Sequence, residues 1–382
     1  MKVLQTISSM RATAGGPSTC TYDLLKALQQ TDAQVKLVTL RSSSEDLGNG
    51  ESWLTLLDND AWSPVGFSKN MANYLRDANV DIIHANALWA YHCHISAKVA
   101  REKKIPFVLT PHGMLMPGAI KRKHWKKWPL LKIWFNKDVT GAAAVHATCM
   151  MEGHNIRRFG YNGPIAVIPN PMPPVQWIDE IVENHSAKRI GFLGRLHPVK
   201  CVDKLIEGWK LLEEKVDDAE LVLIGSGTPE YEKYLRDLAA KCKHGKITFQ
   251  GFLNGKEKFQ MLASLRVLCL VSVYENFGMV VTEALSVGTP VIANTTTQWS
   301  ELNSCNCGWW IDATPGNIAL AIEKALSLTD KDLMIMGANG KKLIEERYTA
   351  RRVAGMMERL YKWILEGGEK PDYVYTLDND LI

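Results

Sequence analysis

Short apolar runs alternate along the chain with stretches in which apolar positions recur every three or four residues. The runs predict strands near 3–7, 35–39, 82–84, 107–110, 143–146 and 166–168, then near 189–192, 221–224, 247–250, 267–271 and 290–293. The periodic stretches predict helices near 18–30, 68–77, 96–103 and 150–159, then near 202–214, 230–240, 256–265 and 279–287. Strands that are apolar throughout, rather than alternating, are buried on both faces. With helices between them they imply parallel sheets in the α/β class.

The pattern breaks once. Pro169, Pro171, Pro173 and Pro174 interrupt regular structure, and polar residues follow to Lys188. The chain therefore reads as a first doubly wound Rossmann-like domain over 1–170, a linker over 171–188 and a second over 189–349. A helical pattern from 330 to 366 closes the fold, with a helix assigned to 350–368. Residues 369–382, with Asp372, Asp378 and Asp380, read as a frayed acidic tail. A length of 382 residues suits two domains better than one core.

Composition narrows the class. With 46% hydrophobic and 23% charged residues the chain is an ordinary globular protein, and a net charge of +4 gives no global field for nucleic acid. Eight cysteines show no C-x-x-C, and Cys305 and Cys307 stand too close for a zinc clip. That usage suits a reducing compartment. Met1-Lys2-Val3-Leu4 runs straight into a strand pattern, and no run reaches the roughly 18 apolar residues of a membrane span, so the cytoplasm is the expected location.

Ligands of open parallel sheets bind where strands end and loops lead into helix N-termini. Gly15-Gly16-Pro17 follows the first strand, where free N–H groups suit an anion; a tight turn with Ser18 as N-cap explains it equally well. His112, in Thr110-Pro111-His112-Gly113, ends another strand, although a lone histidine is more often structural. Arg195 and Lys200 in the loop opened by Gly194 suit a diphosphate, the first as a planar fork and the second as a point charge. Solvated surface charges are the bland alternative. Gly225-Ser226-Gly227 is a weaker phosphate-loop candidate.

The most specific segment is Ser272 to Leu285. A strand feeds a loop with Glu275, Asn276, Phe277 and Gly278, then a helix bearing Glu283. The helix start would direct N–H groups at a phosphate, and the two carboxylates could accept from hydroxyls on either side, one on a hexose and one on a ribose. Helix-end carboxylates explain either glutamate alone, but not the following Gly288-Thr289-Pro290-Val291-Ile292 turn into another buried strand.

These residues, in this order, resemble the retaining glycosyltransferases of family 4, with the GT-B fold of two Rossmann-like domains facing across a cleft. The resemblance spans nearly the whole chain, and its most specific part is Glu-x-Phe-Gly-x4-Glu-Ala followed by Gly-x-Pro-Val. It implies that Arg195 and Lys200 bind the donor diphosphate, that Glu283 holds the ribose and that Glu275 contacts the transferred sugar. It places His112 near that sugar, Gly16 over the donor or acceptor, and the base near Gly225, Gly227 and Phe252. The last helix would cross back to the first domain. Where many relatives have a glycine-rich turn this chain has Asn294 to Leu302, followed by Gly308-Trp309-Trp310, which resembles a subgroup of bacterial surface polysaccharide and lipopolysaccharide assembly; Thr296 and Thr297 are its candidate diphosphate contacts.

The implied function is metal-independent transfer of a hexose-type sugar from a UDP- or GDP-sugar, used as substrate with no cofactor, to a hydroxyl of a glycan or lipid-linked acceptor. No carboxylate is placed as a nucleophile, which favours front-face attack. Residues 121–135, basic and interleaved with tryptophan, suit an anionic membrane surface at the inner face of the plasma membrane or, alternatively, an amphipathic helix packed inward. Single-stranded nucleic acid has no other support. Two rivals stand: a non-catalytic nucleotide-sugar-binding protein, and an NAD-dependent oxidoreductase, for which no early G-x-G-x-x-G is present.

Overall fold

Successive residues of a strand face opposite ways, and the first strand shows what that does here. β1 (Lys2–Thr6) sends Val3 to one apolar core and Leu4 to another, one on each face of its sheet. The computed structural model describes residues 1–11, 16–63, 65–121, 130–184 and 187–379. They form two units, Met1–Pro173 with Thr349–Ile382, and Pro174–Tyr348.

In the first unit β1 pairs in parallel with β2 (Gln34–Leu40) on one side and β4 (Ile82–Asn86) on the other. Beyond β2 lies β3 (Leu54–Leu57); beyond β4 follow β5 (Phe107–Thr110), β6 (Ala144–Ala147) and β7 (Ile165–Val167). One face is covered by the helices Gly16–Leu28 and Ala350–Glu366, through Leu25, Leu28, Val353, Met357 and Leu360. The other carries Lys69–Asp77 and Tyr91–Lys103. Both faces of the strands are therefore dry, which explains their unbroken apolar sequence.

The second unit is a parallel sheet in the order β10-β9-β8-β11-β12-β13 among the described residues. These are β8 (Arg189–Leu193), β9 (Glu220–Ile224), β10 (Lys246–Gly251), β11 (Val267–Leu270), β12 (Val291–Asn294) and β13 (Gly308–Ile311). Helices Val202–Lys210 and Pro315–Ser327 pack together on one face, around Leu205, Trp209, Ile318 and Ile322.

Several elements differ from the sequence reading. The helical pattern over 330–366 is two helices, Asp330–Arg347 and Ala350–Glu366, and the chain changes unit at the break between them, Tyr348/Thr349. The supposed frayed tail contains β14 (Val374–Tyr375), antiparallel to β7, with Tyr373 and Val374 buried. Gly308-Trp309-Trp310 lies in a strand absent from the predicted set: a Cβ at Gly308 would stand 2.0 Å from Val291 O, so the close approach of β13 to β12 requires glycine. Asp60 serves the helix Lys69–Asp77, accepting from the backbone N–H of Lys69 (2.9 Å) and Asn70 (3.0 Å).

Candidate active site

β8 is the place where the second sheet changes direction, since the chain continues to β9 on one side and β11 lies on the other. Ligands of open parallel sheets bind beyond the carboxyl ends of the strands at such a point, so the ends of β8 and β11 are the expected place for a crevice. The loop after β8 lies backbone to backbone with the loop after β9: Gly194 N donates to Ile224 O (3.0 Å) and Leu196 N to Ser226 O (2.9 Å). Gly225 N donates in turn to Gly251 O (2.7 Å), bringing the end of β10 alongside. Gly225 has φ +136°, and a Cβ there would lie 1.9 Å from Gly194 O. Only glycine permits this junction. Gly227 bridges to Leu196, and Phe252, 73% exposed, follows Gly251.

The loop after β11 closes the other side. Val273 N donates to Val199 O (3.1 Å), which seats the Glu275 loop on the Lys200 loop. Lys200 Nζ and Glu275 Oε2 form an ion pair, and Ser272 Oγ stands 3.4 Å from the same carboxylate oxygen. Arg195 is exposed two residues after β8. The helix Met279–Ser286 then begins at Gly278, which has φ +80° and, as a glycine, no side chain with which to cap the first N–H groups. Phe277 is buried, edge-on to Trp299 (5.4 Å) and Tyr348 (5.9 Å), and Trp299 Nε1 donates to Phe277 O (2.7 Å). An apolar wedge thus fixes the loop between Glu275 and the helix start.

Glu283 lies on that helix and pairs with Lys258 at 2.8 Å. Thr296 Oγ1 donates to Ser272 O (2.9 Å) and braces the loop after β12 against the loop after β11, whereas Thr297 Oγ1 donates to Asn294 O (2.7 Å) and closes a turn within its own loop.

In the first unit His112 follows β5 with φ +50°, a left-handed conformation that costs a non-glycine residue about 1–2 kcal/mol. Two contacts hold it: His112 Nε2 lies 3.3 Å from Asn86 Oδ1, and Gly113 N donates to the buried carboxylate of Glu152. Burial, and secondarily His146, push the imidazole down to about 3. Gly16 opens the helix Gly16–Leu28, and a Cβ there would meet nothing within 4 Å. Gly15 lies outside the described residues, as do 122–129 of the basic aromatic segment. Of that segment, Trp134 stacks on His94 at 4.6 Å, Phe135 is buried and Ile133 is exposed.

The sequence gives no role to Lys258, Ser272 or Trp299, nor to the polar groups of the first sheet. Gln5, His84, Asn86 and His146 interrupt otherwise apolar strands and are all buried. Polar residues at strand positions between apolar neighbours, such as Ile82-Ile83-His84-Ala85-Asn86, were the available signal.

Two family models divide the chain between them. Residues 14–175 match the model described as Glycosyltransferase Family 4, and residues 176–343 match Glycosyl transferases group 1. The chain belongs to the family 4 glycosyltransferases and has the GT-B fold. An uncharacterized glycosyltransferase of Methanocaldococcus jannaschii is 34% identical to this family 4 chain over 184 residues, 47% of the chain and 46% of that protein. A GDP-mannose-dependent alpha-(1-6)-phosphatidylinositol dimannoside mannosyltransferase of Mycobacterium tuberculosis is 29% identical over 36% of the chain and 35% of its own length. The chain thus spans about half or less of the length of the curated relatives it matches. HepE of Anabaena, solved in complex with UDP and glucose, shares the fold with a TM-score of 0.72 at 18% identity, covering 94% of the chain and 99% of its own. No helix among the described residues is long and apolar enough to cross a membrane.

Proposed function

We propose that the chain is a retaining, metal-independent glycosyltransferase that moves a hexose-type sugar from a nucleotide-sugar, UDP- or GDP-linked, to a hydroxyl of a glycan or lipid-linked acceptor. The observation that carries this reading is the Lys200–Glu275 pair at the mouth of the β8/β11 crevice, beside the uncapped start of the helix Met279–Ser286. Breaking the bond at the anomeric carbon leaves its electron pair, and negative charge, on the departing diphosphate. Lys200, Arg195 and the helix N-terminus are the positive groups at hand to receive it. A diphosphate that draws Lys200 away frees Glu275 to accept from a sugar hydroxyl. Glu283 then addresses the ribose, and Gly225, Gly227 and Phe252 lie toward the base.

In this reading the acceptor hydroxyl attacks the face from which the diphosphate leaves, and its proton passes to the departing phosphate oxygen. The configuration at the anomeric carbon is kept. No metal ion is assigned a role, because Lys200 and Arg195 supply the cationic charge. The names of the relatives support a nucleotide-sugar donor: one is GDP-mannose-dependent, and the fold neighbour holds UDP and glucose.

The basic aromatic segment supports a lipid-linked acceptor at the inner face of the plasma membrane, within surface polysaccharide assembly. Sedimentation with anionic vesicles, lost in Lys126→Glu with Lys127→Glu, tests that part; no binding to such vesicles by the native protein refutes it. The donor reading is tested by thermal shift against UDP-, GDP-, ADP- and dTDP-sugars. At 100 times its Kd a donor stabilises the native state by about 2.7 kcal/mol, enough to raise the midpoint measurably. A rise with one base only supports it. No rise with any donor, together with a rise with NAD, would favour the oxidoreductase.

A further inference from the structure

The first unit contains an unbroken line of buried polar groups that starts at a backbone carbonyl and ends on His112. His146 Nε2 lies 2.7 Å from Ile168 O, and its Nδ1 lies 2.8 Å from Thr110 Oγ1. Thr110 Oγ1 is 2.7 Å from His84 Nε2, and His84 Nδ1 is 2.7 Å from the hydroxyl of Tyr361 on the helix Ala350–Glu366. Gln5 Nε2 reaches that hydroxyl at 3.0 Å, Asn86 Nδ2 reaches Gln5 Oε1 at 2.8 Å, and Asn86 Oδ1 faces His112 Nε2 at 3.3 Å.

A carbonyl can only accept, so the proton of His146 must sit on Nε2. A neutral ring then accepts at Nδ1, so Thr110 donates to it and has only a lone pair left for His84. His84 therefore carries its proton on Nε2 and accepts at Nδ1 from Tyr361. The Tyr361 oxygen accepts from the Gln5 amide, whose own oxygen accepts from Asn86. Asn86 is left with its oxygen toward His112, which must donate from Nε2. Each step fixes the next, and burial keeps all three rings neutral by pushing their basicity down. Asn86 Nδ2 also lies 3.5 Å from Thr6 O, a longer contact that favours the same orientation. His112 Nδ1 has no hydrogen-bond partner among the described residues, and it is not a buried orphan.

We propose that this chain of hydrogen bonds fixes His112 as the Nε2–H tautomer and presents Nδ1 as an acceptor for a sugar hydroxyl, with Gln5, Asn86 and Tyr361 as positioning residues. The identity of the hydroxyl rests on the transferase reading; the tautomer does not. The last helix thereby has a second task beyond covering the sheet: its Tyr361 sets the polarity of the His112 ring.

The test is a long-range proton–nitrogen correlation spectrum of the full chain labelled with 15N-histidine at pH 7.5, with His112 assigned by its loss in His112→Gln. In the native protein His84, His112 and His146 are all expected as Nε2–H. In Tyr361→Phe the anchored half of the chain survives, so His84 and His146 keep their tautomer and report an intact core. His112 should then populate both forms. Gln5→Met breaks the His112 side at another point and should do the same. A His112 proton on Nδ1 in the native spectrum overturns the proposal without any variant. So does a single, unchanged His112 tautomer in both variants. Sugar transfer by Tyr361→Phe should fall about tenfold in kcat with little change in donor KM. If no donor is turned over while the spectra are as expected, the transferase reading fails and the tautomer assignment stands.

Discussion

Lys200 and Glu275, 75 positions apart in sequence, share an ion pair in which 19% and 17% of their side chains remain exposed. They reach each other because β8 and β11 are neighbours at the point where the sheet reverses direction. Their proposed roles differ, and binding of the nucleoside diphosphate alone separates them. Lys200→Ala should weaken UDP or GDP by about tenfold to a hundredfold, the worth of a charged hydrogen bond of roughly 1.5–3 kcal/mol. Glu275→Ala should leave that affinity unchanged or improve it, since the lysine is released. Isothermal titration gives both numbers. Equal losses in the two variants would mean that the pair acts only as a structural strut.

Gly225 joins the loops after β8 and β9. Gly225→Ala places a methyl group 1.9 Å from Gly194 O at φ +136°, so the loops after β8 and β9 must separate. The expected loss is more than about 2 kcal/mol in urea unfolding, together with weaker diphosphate binding. Gly251→Ala is the control, because its Cβ would meet nothing within 4 Å even though φ is +77°. It should cost only the backbone strain, about 1–2 kcal/mol.

The chain's end is part of the first core. Removing residues 372–382 deletes Tyr373 and Val374, both buried, and the bond from Val167 N to Tyr373 O at 2.9 Å. At about 1.5–3 kcal/mol for each buried side chain, the truncation should lower stability by about 3 kcal/mol or more. Chemical denaturation of the truncated chain measures it. An unchanged midpoint would return these residues to the status of a loose tail.

Acid should find the first unit through its histidines. Burial holds His92 and His146 at about 4 and His112 at about 3, against an ordinary 6.5. A ring depressed in this way binds its proton more readily in the unfolded chain. The stability it contributes is complete above pH 6.5 and is lost as pH falls through its folded value. At about 1.4 kcal/mol per pH unit, His146 alone accounts for about 3 kcal/mol between pH 6.5 and 4. Urea midpoints should be flat from pH 7 to 8 and fall steadily below 6.5.

Much of this fold was legible because its strands are buried on both faces and its helices are amphipathic, so the two periodicities do not overlap. The strands that escaped lie at sheet edges, where that signal weakens. Leu54–Leu57 is only half-buried, and Val374–Tyr375 is two residues long within an acidic stretch. The break at Tyr348/Thr349 carries neither proline nor glycine, so nothing local marks it. At the site, Glu275, Gly278 and Glu283 were readable because loop and helix start are contiguous in sequence. The partnership of Glu283 with Lys258 was not, since it depends on how two helices pack. The relay behind His112 draws on four strands and the last helix, and no spacing along the chain announces it.

Catalysis of sugar transfer from a nucleotide-sugar is proposed for the Lys200–Glu275 pair and its surroundings. Its most direct test is the release of free nucleotide from each donor in the thermal-shift panel, with an acceptor glycan or lipid-linked oligosaccharide present, by the native chain and by Glu275→Ala. Nucleotide release with one donor, lowered about a hundredfold or more in the variant, is the expected result. Binding of a donor with no release by the native chain, or release unaffected by Glu275→Ala, would contradict it.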